Sequence, residues 1–415
     1  MINYQHHKLA NGLQILHHHA PNTASSAVNL LYKVGSRNEE IHRTGLAHLF
    51  EHLMFEGSQN IPSFDGPLQM AGGENNAFTS NDITNYYITL PSANIETAFW
   101  LESDRMLGLD LSEEKLAIQK KIVIEEYNQR YTSQPYGDLF SLLRDQVYRV
   151  HPYRWPTIGK DMDHIREVSL PEVEAFFYRH YAPNNAILSV VSDIPFEEIV
   201  QLAEKWFGPI PERKIQNPEY PVEPEQNQAT FNEVARRVPL HALVKAYPMS
   251  DHLSPRYYAA DALSDILANG RSARLHQALV KKKSIFQNIN AYITGDMDRG
   301  MLVVSGHVLP GISLAQANEA VEHQLFKLTE AAPDREEIQK IKNKFEAVQL
   351  IGTTHSLNKA MNLAYYQALG DAKEYNLQVD KFKALTASQL QEEAQKLFAP
   401  SNSNTLFYKS TLQPE

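Results

Sequence analysis

The sequence predicts an α+β fold built as two homologous domains, and three observations predict it. Apolar runs of strand length are interspersed with long helical stretches, without the strict alternation of a parallel β-α-β sheet. The stretch from Gly208 to Gln228, GPIPERKIQNPEYPVEPEQNQ, carries five prolines and no periodicity, and reads as an extended linker. Beyond it, an earlier succession of strand, helix and glycine restarts. At 415 residues the chain is too long for one ordinary core. The expected division is therefore a domain over 1–210, a linker over 211–229 and a second domain over 230–415.

Taken in order, Leu9 to Leu16 reads as a hairpin around the Asn11-Gly12 turn. Ala27 to Val34 is an apolar strand leading into a helix with Thr44 as its expected N-cap and Gly57 as its stop. Asn85 to Leu90 is a strand and Ala93 to Met106 a helix; Glu113 to Arg130 is a long helix capped by Ser112, followed by a helical stretch near Tyr136 to Val147. Ala186 to Val191 is a buried strand and Pro195 to Phe207 a helix. After the linker, the strand Ala242 to Tyr247 leads into the helix Tyr257 to Leu267 and then Asn269-Gly270. Laying Gly45–Ser58 over Ala259–Ser272 sets Ala262 opposite His48, Asp265 opposite Glu51 and Ile266 opposite His52. This looks like an internal duplication whose second copy has lost the metal groups of the first.

Those groups carry the chemistry. In His48-Leu49-Phe50-Glu51-His52 the histidines are four residues apart, so on a helix they stack on one side with Glu51 beside them. Two neutral imidazoles at this spacing can hold one Zn²⁺ and leave a carboxylate close enough to take a proton from water activated by the metal. The order H-x-x-E-H is the inverse of the common zinc-protease signature. Three unpartnered polar groups in an otherwise apolar helix would be unfavourable to bury, which favours a metal. A third ligand must come from elsewhere. Glu125 and Glu126 sit on the helix from Glu113, and residues adjacent on a helix diverge by about 100°, so only one can face the metal squarely.

The bulk numbers exclude several classes. A net charge of −10 gives no electrostatic case for nucleic acid or an anionic membrane as partner. The chain has no cysteine, which excludes disulfides and thiolate zinc sites. No apolar run is long enough to span a membrane. The opening MINYQHHKLANG has no export-signal pattern, which points to the cytoplasm; a removed export segment, and so a periplasmic location, would leave the same sequence. His17-His18-His19 reads as a solvated strand end, because alternate strand residues face opposite sides and the three cannot converge on one ion.

His48-x-x-Glu51-His52, then 73 intervening residues, then Glu126 resembles the pitrilysin-type zinc metallopeptidases, which include insulin-degrading enzyme, mitochondrial processing peptidase and short bacterial members. Leu53-Met54-Phe55-Glu56-Gly57-Ser58, Gly72-Gly73-Glu74-Asn75-Asn76-Ala77-Phe78-Thr79, His151-Pro152-Tyr153, Tyr181-Ala182-Pro183-Asn184-Asn185 and Ser272-Ala273-Arg274-Leu275 extend the resemblance over almost the whole chain. It implies two homologous domains of roughly equal size, each a mainly antiparallel sheet packed by helices, in a clam-like pair. It implies one Zn²⁺ per chain held by His48, His52 and Glu126, with Glu51 as the base and Glu125 a neighbour. The family's N-A-x-T strand implies that Asn75–Thr79 is an exposed edge that pairs with an extended peptide, Asn76 and Ala77 lying closest to the scissile bond.

Two departures from the family pattern stand out. A glutamate usual seven residues before the third ligand is here Gln119, which supplies less negative charge around the ligands. An Arg/Tyr pair usual after the S-x-R-L segment falls on Val280 and Gln287, or, one residue on, Lys281 and Asn288. The expected function is a zinc endopeptidase acting on peptides or unfolded segments. The missing pair implies a heterodimer with a homologous chain that supplies it; a homodimer, or a non-catalytic assembly subunit of the same fold, is the alternative.

Overall fold

Two sheets form from the apolar runs, and their strand orders match. The structure is a computed structural model, which describes residues 1–215 and 219–413; residues 216–218 of the expected linker, and 414–415, lie outside the described residues. The first sheet contains β1 (Gln5–Lys8), β2 (Gln14–His19), β3 (Ser25–Tyr32), β4 (Glu74–Thr79), β5 (Thr84–Pro91) and β6 (Ala186–Ser192), in the order β1-β2-β6-β3-β5-β4. The β2–β6 pair is parallel and the rest antiparallel. The second sheet contains β7 (Thr230–Arg236), β8 (Ala242–Pro248), β9 (Phe286–Ile293), β10 (Met301–Val308) and β11 (Asn404–Ser410), in the order β7-β11-β8-β10-β9. There the β7–β11 pair is parallel and the rest antiparallel. Dropping β1, the sheets superpose in order and sense, so the duplication expected from the strand–helix–glycine pattern is visible in topology.

The expected hairpin around Asn11-Gly12 joins β1 to β2. Gly12 takes φ +90°, and a side chain there would meet Asn184. The inner strands of each sheet are covered on both faces, which explains their apolar sequences. On β3, Val28, Leu30 and Tyr32 face one way; Ala27 faces the other and packs with Val191 against Ala360. Ala360 belongs to the helix Ser356–Leu369, far along the chain. In the second sheet, Ala242, Val244 and Ala246 pack against Leu143 and Val147 of the helix Leu139–Val147.

The compact units consequently differ from the division expected at 1–210 and 230–415. One consists of Met1–Asn128, Trp155–Tyr220 and Gln349–Leu377; the other of Gln129–Arg154, Pro221–Val348 and Gln378–Glu415. Each sheet needs a helix to bury its second apolar face, and each takes it from the other half of the sequence. The described linker residues lack helix or strand yet are docked. Arg213 donates to the Tyr181 carbonyl and lies over the Phe177 ring, while Glu223 accepts the main-chain N–H groups of Arg149, Val150 and His151.

Candidate metal centre

The motif helix spans Leu46–Leu53 and buries Leu49, Phe50 and Leu53, with the Phe50 ring 4.4 Å from that of Tyr181. That apolar face anchors the helix on the first sheet and turns His48, Glu51 and His52 the other way. Its start differs from expectation. Thr44 does not cap it: the N-cap is Gly45, at φ +90°, where a Cβ would lie 2.5 Å from the Ile158 carbonyl oxygen. The buried Glu39 carboxylate caps instead, accepting from the N–H of Gly45 at 2.9 Å and of Ala47 at 2.8 Å. Burial raises the Glu39 pKa to about 8 against the lowering effect of those bonds. An acid six residues ahead of a helix N-cap is too weak a signal to find from sequence.

The second element is the helix Glu113–Tyr127, whose Ser112 N-cap accepts from the Lys115 N–H as expected. Leu116, Gln119 and Val123 are its buried positions, and Glu126 continues that face two turns beyond Gln119. Glu126, rather than the exposed Glu125, therefore meets the histidines. His48 Nε2 lies 3.2 Å from Glu126 Oε2, and His52 Nε2 lies 3.5 Å from the same oxygen. His48, His52 and Glu126 are the metal-capable group among the described residues.

These residues fit zinc. Tetrahedral coordination with bonds of about 2.0–2.1 Å places ligand atoms about 3.3–3.4 Å apart, and the two measured separations bracket that spacing. Burial pulls the His48 imidazole down, but hydrogen bonds to Glu126 and Glu51 prevail and raise its pKa to about 9. Burial and the His48 charge lower that of His52. A site that draws a proton onto one imidazole is one that a cation can occupy in its place.

Glu51 does not join the ligand group. Its Oε2 accepts from Thr79 Oγ1 at 2.5 Å and stands 3.5 Å from His48 Nδ1. Gln119 is buried behind the ligands; its amide donates to Glu56 Oε1 at 2.5 Å and it hydrogen-bonds His52. A neutral amide thus links the Glu56 carboxylate to the His52 imidazole.

β4 is an edge strand, paired only to β5 in the sheet. Ala77 and Thr79 share the face that meets the motif helix, and Asn76 points the opposite way. The Asn76 side-chain carbonyl accepts from the Ala77 N–H at 2.8 Å. Of the three early histidines, His18 and His19 reach different main-chain carbonyls, and the three do not converge. His17 corrects the expectation of a solvated end: it is fully buried, bonded to Ser192 Oγ and stacked on Phe196.

Comparison with known proteins finds peptidase families along both halves of the chain. The family described as "Insulinase (Peptidase family M16)" matches residues 14–161, and "Peptidase M16 inactive domain" matches residues 167–345. The zinc protease PqqE of Helicobacter pylori is 30% identical over 408 residues, covering 97% of this chain and 91% of that one. An uncharacterized zinc protease of Bacillus subtilis, YmxG, is 24% identical, covering 97% of this chain and 98% of that one. The crystal structure of a protease from Helicobacter pylori superposes with a TM-score of 0.94 at 30% identity, covering 99% of this chain and all of that one. The His-His-Glu donor set and these zinc protease relatives support Zn²⁺ as the cofactor. No helix among the described residues is long and apolar enough to cross a membrane.

Proposed function

Because this chain belongs to the insulinase (M16) peptidase family, we propose that it is a zinc endopeptidase hydrolysing peptides or unfolded polypeptide segments. The observation that carries the reading is one carboxylate, Glu51, held beside but outside a His-His-Glu group of zinc-fitting spacing. His48, His52 and Glu126 would hold the metal, which supplies a Lewis acid and a water of lowered pKa. Glu51 takes the proton of the attacking water on Oε1, the oxygen that Thr79 leaves free, and passes it to the departing amine. A peptide adds to the free edge of β4 by main-chain pairing, displacing the Asn76 amide from the Ala77 N–H. Ala77→Pro removes that donor and should raise KM sharply with zinc retained; an unchanged KM would count against the pairing.

The same reading places this chain as the metal-bearing partner in a heterodimer. Val280 lies half-buried against the second core and offers no donor, and Gln287 is an exposed amide on β9. Removing donors aimed at a developing oxyanion costs on the order of several kcal/mol, so a homologous chain carrying Arg and Tyr would supply what is missing. The test is elemental analysis of the purified chain, then cleavage of a quenched peptide with and without chelator, alone and with the homologous chain. The expected result is one zinc and weak chelator-sensitive cleavage that rises when the partner is added. Full turnover alone would remove the heterodimer, and a metal-free inert chain would remove the peptidase.

A further inference from the structure

The edge strand and the motif helix are joined by a side-chain hydrogen bond between Thr79 and Glu51. Thr79 is the last residue of β4, pinned by its pairing with Thr84 of β5. A β-branched side chain has few χ1 choices, so a strand held in register also holds its hydroxyl. Glu51 is the flexible member. The last torsion of a glutamate is broad and two-fold, and within the motif helix His48 Nδ1 approaches its carboxylate no nearer than 3.5 Å. The hydroxyl donates to Oε2 at 2.5 Å, a charge-assisted bond far shorter than the 3.5 Å approach of His48 Nδ1 to the same atom.

We propose that Thr79 is a positioning residue, its hydroxyl fixing the Glu51 carboxylate so that Oε1 meets the water, and tying that base to the strand on which the peptide docks. This rests on the peptidase reading of the site. The hydroxyl touches neither the ligands nor the reacting atoms, so its loss spares zinc and peptide binding and lowers the chemical step. Ala77 lies on the same face, two residues away on the same strand. Peptide pairing there and orientation of the base are therefore set by one rigid element.

Thr79→Val is nearly isosteric and removes the donor; Thr79→Ser keeps it. In the assembled, zinc-loaded enzyme the valine variant should lose about tenfold to a hundredfold in kcat with KM within about twofold of wild type. Zinc content should stay at one, and the serine variant should recover to within about threefold of wild type. A crystal structure of the valine variant should show the Glu51 carboxylate turned away from its present position. An unchanged kcat, a serine variant as poor as the valine, or an unmoved Glu51 would each overturn the proposal. If the wild-type enzyme cleaves nothing, the peptidase reading fails, and the Glu51 orientation in the two variants still decides the role of Thr79.

Discussion

The motif helix Leu46–Leu53 and its counterpart Pro255–Ala268 follow corresponding strands of two sheets with the same order, yet they do opposite things with the same face. In the first, His48 and His52 turn toward Glu126 of a second helix. In the second, Ala262 and Ile266 stand at those positions and are buried in the core cluster. Only the acid persists: Asp265, opposite Glu51, is bound through both oxygens by Lys344 of the helix Arg335–Gly352, at 2.7 and 2.8 Å. One scaffold thus satisfies a partly buried carboxylate in two ways. Beside the His-His-Glu group it accepts from a threonine hydroxyl, which in the proposed reading leaves it available as a base, and beside a lysine it is committed to an ion pair. The two acids differ in their partners: Thr79 of β4 and His48 for Glu51, Lys344 of a second helix for Asp265.

The largest effect expected from breaking this comparison is on metal stoichiometry. His48→Ala should reduce bound zinc from one per chain to none by elemental analysis, with turnover falling beyond detection. Asp265→Ala should leave zinc at one. Glu51→Gln should keep the metal and lose on the order of a thousandfold or more in kcat, as expected for a lost general base at a concerted site; cleavage at the wild-type rate would show that another group is the base. Next in size is a pH dependence. Metal-free His48, raised to about 9, carries a proton at pH 7 that zinc must expel, whereas the lowered His52 carries none. Apparent zinc affinity should therefore rise about tenfold between pH 7 and 8 and level off above pH 9. Calorimetry in buffers of different ionisation enthalpy should report about one proton released at pH 7.

Much of this contrast was legible in the sequence because it rests on local spacing. The i, i+4 histidines, the acid between them, and the alanine and isoleucine in their places need only helical geometry. Spacing alone left Glu125 and Glu126 open and the family resemblance chose Glu126; the burial of Leu116, Gln119 and Val123 gives the helix phase behind that choice. Long-range partners left no such trace. Nothing near Lys344 marks it as the counter-ion of Asp265, and nothing near Glu39 marks it as the cap of the motif helix. The exchange of helices Leu139–Val147 and Ser356–Leu369 was hidden for the same reason. An apolar helix face says that it is buried, and not which sheet buries it.

Removing Lys344 sharpens the comparison at the scale of stability. Lys344→Met leaves Asp265 with no cation and should cost about 1–3 kcal/mol, read as a lower denaturation midpoint, with zinc still at one. A smaller effect concerns Asp261, one turn before Asp265. Burial, and then the charge of Asp265, raise the Asp261 pKa from 3.8 to about 7. Between those two values the unfolded chain has released this proton while the folded chain retains it. Stability therefore falls as pH rises from about 4 to about 7 and is level above. Asp261→Asn removes that penalty, so the variant should be more stable than wild type at pH 8, by on the order of 2 kcal/mol, with the gain shrinking toward zero at pH 4. In the Asp265→Asn background the gain at pH 8 should be smaller, because part of the shift has gone. Equal gains in both backgrounds would show that the two carboxylates do not interact, and that burial alone sets the protonation of Asp261.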